Sequence, residues 1–461
     1  MLLSPSLYNA FLILQMTRAT SAALAPIQLY CSLTHERRIP KVMSFMRRLL
    51  SLCALMLMCL STAHAQGNFY LRNGDRVVFY GDSITDQRLY TTFAETYVVT
   101  RFPQLNVSFV HSGWGGDRVG GGGGGPIDLR LQRDVIAYKP TVMTIMLGMN
   151  DASYKAYDQG TFDTYAKGYQ HIIDTVKQAL PGIRITAIQP SPFDDVTQAP
   201  KFEGGYNAVL VRYGQYLKDL AQKQNLNLAD LNTPVVADLE KAKATDAALA
   251  QKIIPDRVHP GPGGHLIMAE ALLKAWNAPA IVTNVEIDAN GQRVVRSDNT
   301  RVTGLAGGNN PTWMQSDNAL PMPVNMGDPV IALAVNSSDF TQALNQEPLK
   351  VTGLTAAKYT LKIDGQDVGI FTKEQLADGI NLATQQTPMS KQAANVHGLT
   401  VRHDDIHTTR WRQYQVPMAN DNLPHLTEVM RALDDLEADV VAQQRAAAQP
   451  VPHRYELVAQ P

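Results

Sequence analysis

Between residues 70 and 278 the chain repeats one pattern: a short apolar run rich in β-branched residues, then a longer stretch with apolar residues at helical spacing. The runs at 76–80, 107–110, 141–147, 183–188 and 226–231 are predicted strands. The stretches 163–180 (Tyr165, Tyr169, Ile172, Ile173 and Val176 on one face), 206–224, 236–253 and 264–276 are predicted helices. A strand apolar along its length is covered on both faces, and a helix between successive strands is the crossover that parallel pairing needs. The expectation is an α/β fold with a doubly wound, parallel, five-stranded sheet. Such sheets bind ligands beyond the carboxyl ends of their strands, so the residues just after each run are the candidates for chemistry.

The first run ends in Gly81-Asp82-Ser83-Ile84-Thr85. A serine opening a helix at a strand end presents its Oγ at the rim, and its own N–H has no partner within the helix. Taken alone, Ser83 reads equally well as a helix cap. The second run leads into His111-Ser112-Gly113-Trp114-Gly115-Gly116-Asp117-Arg118, where Gly116 can expose a backbone N–H to an oxyanion, or simply turn the chain. The third ends in Gly148-Met149-Asn150-Asp151, and the neutral amide of Asn150 suits an acyl oxygen that gains negative charge, or else caps a helix. After the fifth comes Asp256-Arg257-Val258-His259-Pro260. A carboxylate three residues before an imidazole can take its Nδ1–H and leave Nε2 free as a base. Trp114 and Arg118, beside the proposed glycine donor, are candidate substrate contacts, with packing beneath the loop as the other reading of Trp114.

All four signals fall where a doubly wound sheet would gather them on one rim. Together they resemble the GDSL-type serine hydrolases of the SGNH hydrolase family, in block order, over roughly residues 74–276. The resemblance implies a flavodoxin-like sheet in the order 2-1-3-4-5. It also implies Ser83 as nucleophile, Asp256 and His259 as acid and base, and an oxyanion hole made by Ser83, Gly116 and Asn150. Two departures stand out: Ile84-Thr85 replaces the name-giving leucine, and Arg118 follows Gly-Gly-Asp where threonine is usual.

The N-terminus bears on where such an enzyme works. From Met43 the chain reads Met-Ser-Phe-Met-Arg-Arg, then an apolar run over 49–60, then small residues up to Ala63 and Ala65, which is the layout of a secretory signal peptide. The apolar run is shorter than the roughly 20 residues that span a bilayer. The expectation is translation from Met43 or Met46, cleavage after Ala65, export to the periplasm or beyond, and no stable membrane insertion. Cys31, Cys53 and Cys59 all lie in the segment removed, so the remainder has no thiol for catalysis, disulfides or metal ligation. A formal net charge of -1, with no clustered basic face, excludes the electrostatic footprint of a nucleic-acid binder.

After residue 278 the pattern changes to β-hairpins, with turns at Asp288-Ala289-Asn290-Gly291 and Asp364-Gly365. A packing helix is predicted over 426–447 from Leu426, Met430, Leu433, Leu436 and Val440. The expected partition is a spurious extension at 1–42, a signal peptide at 43–65, a hydrolase domain at 70–278, a β-rich accessory region at 279–400, a C-terminal helical segment at 401–448 and a disordered tail at 449–461. The accessory region shows no aromatic row that would mark a carbohydrate-binding module, and a structural flank is favoured over a module or a cover for the site.

Several other signals carry less. Gly120, Gly122 and Gly125 satisfy G-x-G-x-x-G inside a run of six glycines, but Pro126 follows and no strand immediately precedes, so a slack loop near the site is expected instead of a dinucleotide site. No G-x-S-x-G is present. His265 and His397 stand alone. His403 and His407 are spaced for a metal only on a helix; with nothing else marking one, a solvated polar turn is expected there, and no metal or cofactor overall. The reading is an exported serine esterase that removes a short acyl group, foremost acetyl, from a carbohydrate or another small ester. The alternatives are a lipid-directed esterase or lysophospholipase, and a non-catalytic binding protein on the same scaffold.

Overall fold

Residues 69–461 are described by a computed structural model; the extension and signal peptide expected at 1–65 lie outside the described residues. Strands β1 (Arg76–Gly81), β2 (Ser108–Gly113), β3 (Val142–Met146), β4 (Arg184–Ile188) and β5 (Asn227–Ala229) pair in parallel in the order β2-β1-β3-β4-β5. This is the 2-1-3-4-5 order of a flavodoxin-like sheet. β3 is buried at every residue, as a strand covered on both faces must be. The register sets Gly81 opposite both Gly113 and Met146, so β1, β2 and β3 end level and the residues after them share one rim.

Among the helices of this half are α1 (Ser83–Asp86), α2 (Leu89–Arg101), α3 (Gln159–Ala179), α4 (Gly205–Gln224), α5 (Thr233–Thr245) and α6 (Pro262–Ala275). On α3 the five residues predicted to share a face are the ones buried. The single helix expected over 236–253 is broken. Asp246 adopts an extended backbone, and its carboxylate caps a new short turn by accepting from the Ala248 and Leu249 N–H groups at 3.0 Å each.

Beyond residue 280 the chain forms two more sheets. One holds β6 (Asn284–Asp288), β7 (Arg293–Asp298), β10 (Pro348–Thr352) and β13 (Ile380–Asn381), in the order β13-β10-β6-β7. The other is antiparallel, built from β8 (Thr300–Ala306), β9 (Thr312–Asp317), β11 (Lys358–Ile363), β12 (Gln366–Thr372) and β14 (His453–Ala459) in the order β8-β9-β14-β11-β12. Among the helices of this region are α7 (Pro388–Thr408) and α8 (Leu426–Ala447), joined through a π turn at Thr409–Gln415.

The tail expected to be disordered is instead a central strand. Its last residues alternate, with His453, Tyr455 and Leu457 buried, and β14 fills the gap between β9 and β11, Tyr455 stacking on Trp313 at 5.2 Å. A strand this short reads as loose because its partners are about 90 and 140 residues earlier in the chain. The divisions at 400 and 449 therefore do not separate folded units: α7 crosses one, and β14 returns to the β-rich sheet across the other. Deleting residues 449–461 should open that sheet and uncover Trp313, Tyr359 and Leu361. The expected cost is on the order of 5 kcal/mol, read as a large drop in Tm or as insolubility; an unchanged melt would show that β14 is dispensable.

α8 spans the predicted residues, but Leu436 is 48% exposed, and the inner face is completed by the polar Glu437 and Gln444. The reason is a buried polar cluster between α2, α7 and α8. The segment with His403 and His407, expected as a solvated turn, is helical and buried. His403 Nε2 lies 2.7 Å from Glu95 Oε1, and Gln444 Nε2 donates to the same oxygen at 2.8 Å. Burial alone would lower the His403 pKa, but the carboxylates of Glu95 and Glu437 outweigh it and raise it to about 10, so the ring is cationic at neutral pH. Burial likewise opposes the Glu95 carboxylate, yet His403 and His111 hold its pKa well below the usual range. Among the described residues, no group of His, Cys, Asp and Glu is arranged to hold a metal, and no helix is long and apolar enough to cross a membrane.

Candidate active site

Asp82, not Ser83, caps α1: its Oδ1 accepts from the Ile84 N–H at 3.1 Å. Burial raises the Asp82 pKa to about 7, with the nearby charges of Asp151 and Asp117 adding to the rise and the Ile84 N–H opposing it. Ser83 is the first residue of the helix, and among the described residues no group accepts its N–H. Its Oγ lies 2.8 Å from His259 Nε2. On the other side of the ring, His259 Nδ1 is 2.7 Å from Asp256 Oδ2.

The Asp256–His259 turn is prearranged by its own backbone. Asp256 Oδ1 accepts from the N–H groups of Val258 at 2.9 Å and His259 at 2.7 Å. Partial burial pushes the Asp256 pKa up, but these bonds together with the imidazole outweigh it and lower the pKa below the ordinary carboxylate value. Arg257, between them, sits at φ 74, a left-handed conformation that only a constrained turn imposes on a bulky residue. Its guanidinium is anchored 3.5 Å from Asp195 Oδ1. The Asp256 and His259 side chains are 56% and 36% exposed, so this edge of the site is open to solvent.

Across the rim, the Trp114–Asp117 segment is held at both ends. The Gly115 N–H donates to Asp86 Oδ2 at 3.1 Å. The Asp117 carboxylate takes the Arg130 Nε–H at 2.7 Å. Between them, Gly116 adopts φ 77, a conformation that favours glycine, and among the described residues no acceptor takes its N–H. Asn150 Nδ2 donates to the Asp117 carbonyl at 3.1 Å, which uses one of its two hydrogens. Because that carbonyl can only accept, the amide oxygen must point the other way, where the Tyr154 hydroxyl donates to it at 2.9 Å. Burial raises the Tyr154 pKa to about 12, helped by the charges of Asp82 and Asp256, so the hydroxyl keeps its proton. Nothing in the sequence marked Tyr154: it reaches Asn150 through two consecutive left-handed residues, Ser153 at φ 55 and Tyr154 at φ 57.

The two candidate substrate contacts part ways. The Trp114 ring is taken up by protein packing: the Arg412 guanidinium lies 3.5 Å over it, and Trp411 meets it edge-on at 5.4 Å. The glycine run expected as slack is a small hairpin, Gly121–Gly122 paired with Gly125–Pro126. A side chain on Gly124 would start 2.6 Å from Arg130 Cδ and 2.7 Å from Trp114 Cδ2, so at this position the hairpin crosses the ring too closely for anything but glycine. Arg118 is exposed at the base of this hairpin, and its charge acts on Asp151 and Tyr154. His265 is buried against Gln87 Oε1 at 3.0 Å, and burial lowers its pKa to about 3, which keeps it neutral.

The arrangement can take a proton from a serine, hold the resulting imidazolium, and offer N–H donors to an oxyanion. Two cavities lie outside it: one of about 540 Å³ lined by Asp195, Val196, Glu240, Lys243 and Ala244, the other of about 340 Å³ whose lining includes Ala152, Ser153 and Tyr213. Neither is lined by Ser83 or His259.

Comparison with known proteins adds three findings. Residues 79–267 match the GDSL-like Lipase/Acylhydrolase family. Over 224 residues the chain is 26% identical to an acetylxylan esterase of Geobacillus stearothermophilus, covering 44% of this chain and 94% of that protein. Among solved structures it is similar to BT4096, a gut microbial diltiazem-metabolizing enzyme, with a TM-score of 0.75 and 26% identity over 86% of this chain and 100% of that one.

Proposed function

The chain belongs to the SGNH, or GDSL-like lipase/acylhydrolase, family and is a serine ester hydrolase, and on that premise we propose that Ser83 is its nucleophile, His259 its general base and Asp256 the carboxylate that orients the base. The observation that carries this reading is the unbroken relay of 2.8 and 2.7 Å from Ser83 Oγ through the imidazole to Asp256. His259 Nε2 takes the hydroxyl proton as Ser83 Oγ attacks the ester carbonyl. The tetrahedral oxyanion receives the Ser83 N–H, the Gly116 N–H and the free hydrogen of Asn150 Nδ2. His259 then protonates the departing alcohol, and water attacks the acyl-enzyme by the same route, returning the proton to Ser83.

The proposed substrate is a short-chain ester, foremost acetyl, on a carbohydrate, met outside the cytoplasm. Three observations support it: the likeness to an acetylxylan esterase, the signal-peptide pattern at 43–65, and an edge of the site at Asp256 and His259 that is open to solvent. Arg118 and Tyr154 are the proposed contacts at the rim. A series of nitrophenyl esters from acetyl to octanoyl, run beside acetylated xylan and acetylated sugars, tests the reading. kcat/KM should fall as the chain lengthens, and acetate should be released from the acetylated carbohydrates. A rise toward octanoyl would replace this reading with a lipid-directed esterase.

A further inference from the structure

Arg412 lies outside the segment that matches the hydrolase family, in the π turn between α7 and α8, yet it reaches the rim. Its Nη1 is 3.1 Å from Asp86 Oδ1 and 3.5 Å from the Gly113 carbonyl, and its guanidinium covers the Trp114 ring at 3.5 Å. The other oxygen of the same carboxylate, Asp86 Oδ2, accepts the Gly115 N–H at 3.1 Å. Asp86 is on α1, three residues after Ser83, and a side chain added to Gly115 would start 4.0 Å from Ser83 Cβ. One carboxylate thus ties the serine helix to the glycine segment, and the arginine saturates its free side.

Gly116 shows why this matters. On its C-terminal side Asp117 is fixed by Arg130 and by Asn150. On its N-terminal side the Gly115 bond to Asp86 is the hold nearest to it. A carboxylate freed of Arg412 can turn toward water, and the Gly116 N–H then loses a fixed direction.

We infer that Arg412 is a positioning residue: through Asp86 and Gly115 it sets the Gly116 N–H where the oxyanion forms, so the C-terminal region completes the active site of the hydrolase half. The inference rests on the proposed roles of Ser83 and Gly116. It also gives the region after residue 400 a part in the chemistry: one nitrogen of Arg412 holds Asp86 while its planar guanidinium lies flat over the Trp114 ring, a stacking that an ammonium reproduces only in part.

The test compares the full chain with Arg412→Gln, Arg412→Lys, Asp86→Asn, the double variant Arg412→Gln/Asp86→Asn and Ser83→Ala on a nitrophenyl acetate. Arg412→Gln should lower kcat roughly 10- to 100-fold with KM changed by less than about twofold, because the donor acts on the transition state and not on bound substrate. Arg412→Lys should recover part of the loss. The double variant should be no slower than the worse single variant, since both break one chain of contacts. Wild-type kcat in Arg412→Gln, or a double variant whose loss is the product of the two singles, overturns the inference. Should Arg412→Gln not fold, wild-type kcat in Asp86→Asn overturns it as well. Activity in Ser83→Ala would overturn the underlying reading, whereas an inactive Ser83→Ala beside a fully active Arg412→Gln overturns only the role of Arg412.

Discussion

Ser83→Ala should lower kcat by roughly 10⁴- to 10⁶-fold while leaving Tm within about a degree of wild type. Both halves of that expectation come from the same local structure. The sequence left Ser83 open to a second reading as a helix cap, and a lost cap would destabilise the protein by about 1 kcal/mol. The cap is Asp82, whose Oδ1 holds the Ile84 N–H, and the Ser83 hydroxyl is turned to His259. Alanine therefore removes a nucleophile and no structural bond other than that one. Turnover measured by ester hydrolysis, with a thermal melt on the same sample, checks it. Retained turnover would refute the nucleophile assignment, and a fall in both together would point to a structural serine.

The second large effect belongs to Asn150. Asn150→Ala should reduce kcat by roughly 10²- to 10³-fold with little change in KM, the usual cost of one oxyanion donor. The Asp117 carbonyl and the Tyr154 hydroxyl both lose a partner in that variant, so a drop in stability of about 1–2 kcal/mol should accompany it. Asn150→Asp separates the two effects. It can still accept from Tyr154 but brings negative charge where the oxyanion forms, so it should be at least as slow as the alanine variant although it restores that bond. Equal turnover in wild type and Asn150→Ala, assayed at saturating substrate, would remove Asn150 from the oxyanion hole.

Why the rim was legible in advance is clear from β1, β2 and β3. Their apolar runs had to be buried on both faces, buried parallel strands must end on a common edge, and the polar residues that follow each run are then neighbours. Ser83, Gly116, Asn150, Asp256 and His259 each carry a residue type whose chemistry is visible without coordinates. Tyr154 and Arg412 carry no such mark. A tyrosine four residues after an asparagine becomes a partner only because two left-handed residues turn the chain back, and an arginine about 330 residues from Ser83 becomes one only by packing.

The C-terminal region failed to read for a related reason. Its inner faces are polar where they meet other polar groups, so Glu437 and Gln444 replace the apolar residue that a helical repeat would demand, and Leu436 is left outside. His403 and His407 look solvated in isolation and are buried against distant carboxylates: His403 meets Glu95 on α2, 308 residues away, and His407 Nδ1 lies 3.6 Å from Glu437 on α8. β14 looks too short to matter until two strands leave a gap of its length.

The amino-acid sequence by itself determined the parallel sheet, through local periodicity, and offered residues whose side-chain chemistry suits acyl transfer; the strand order and the role of each residue were what the family resemblance implied. Only the tertiary structure decided what orients them: which residue caps the helix, which way the Asn150 amide faces, and that the C-terminal turn closes on Asp86. Those are contacts between distant segments whose energies favour a particular packing over its competitors, and no local pattern encodes that choice.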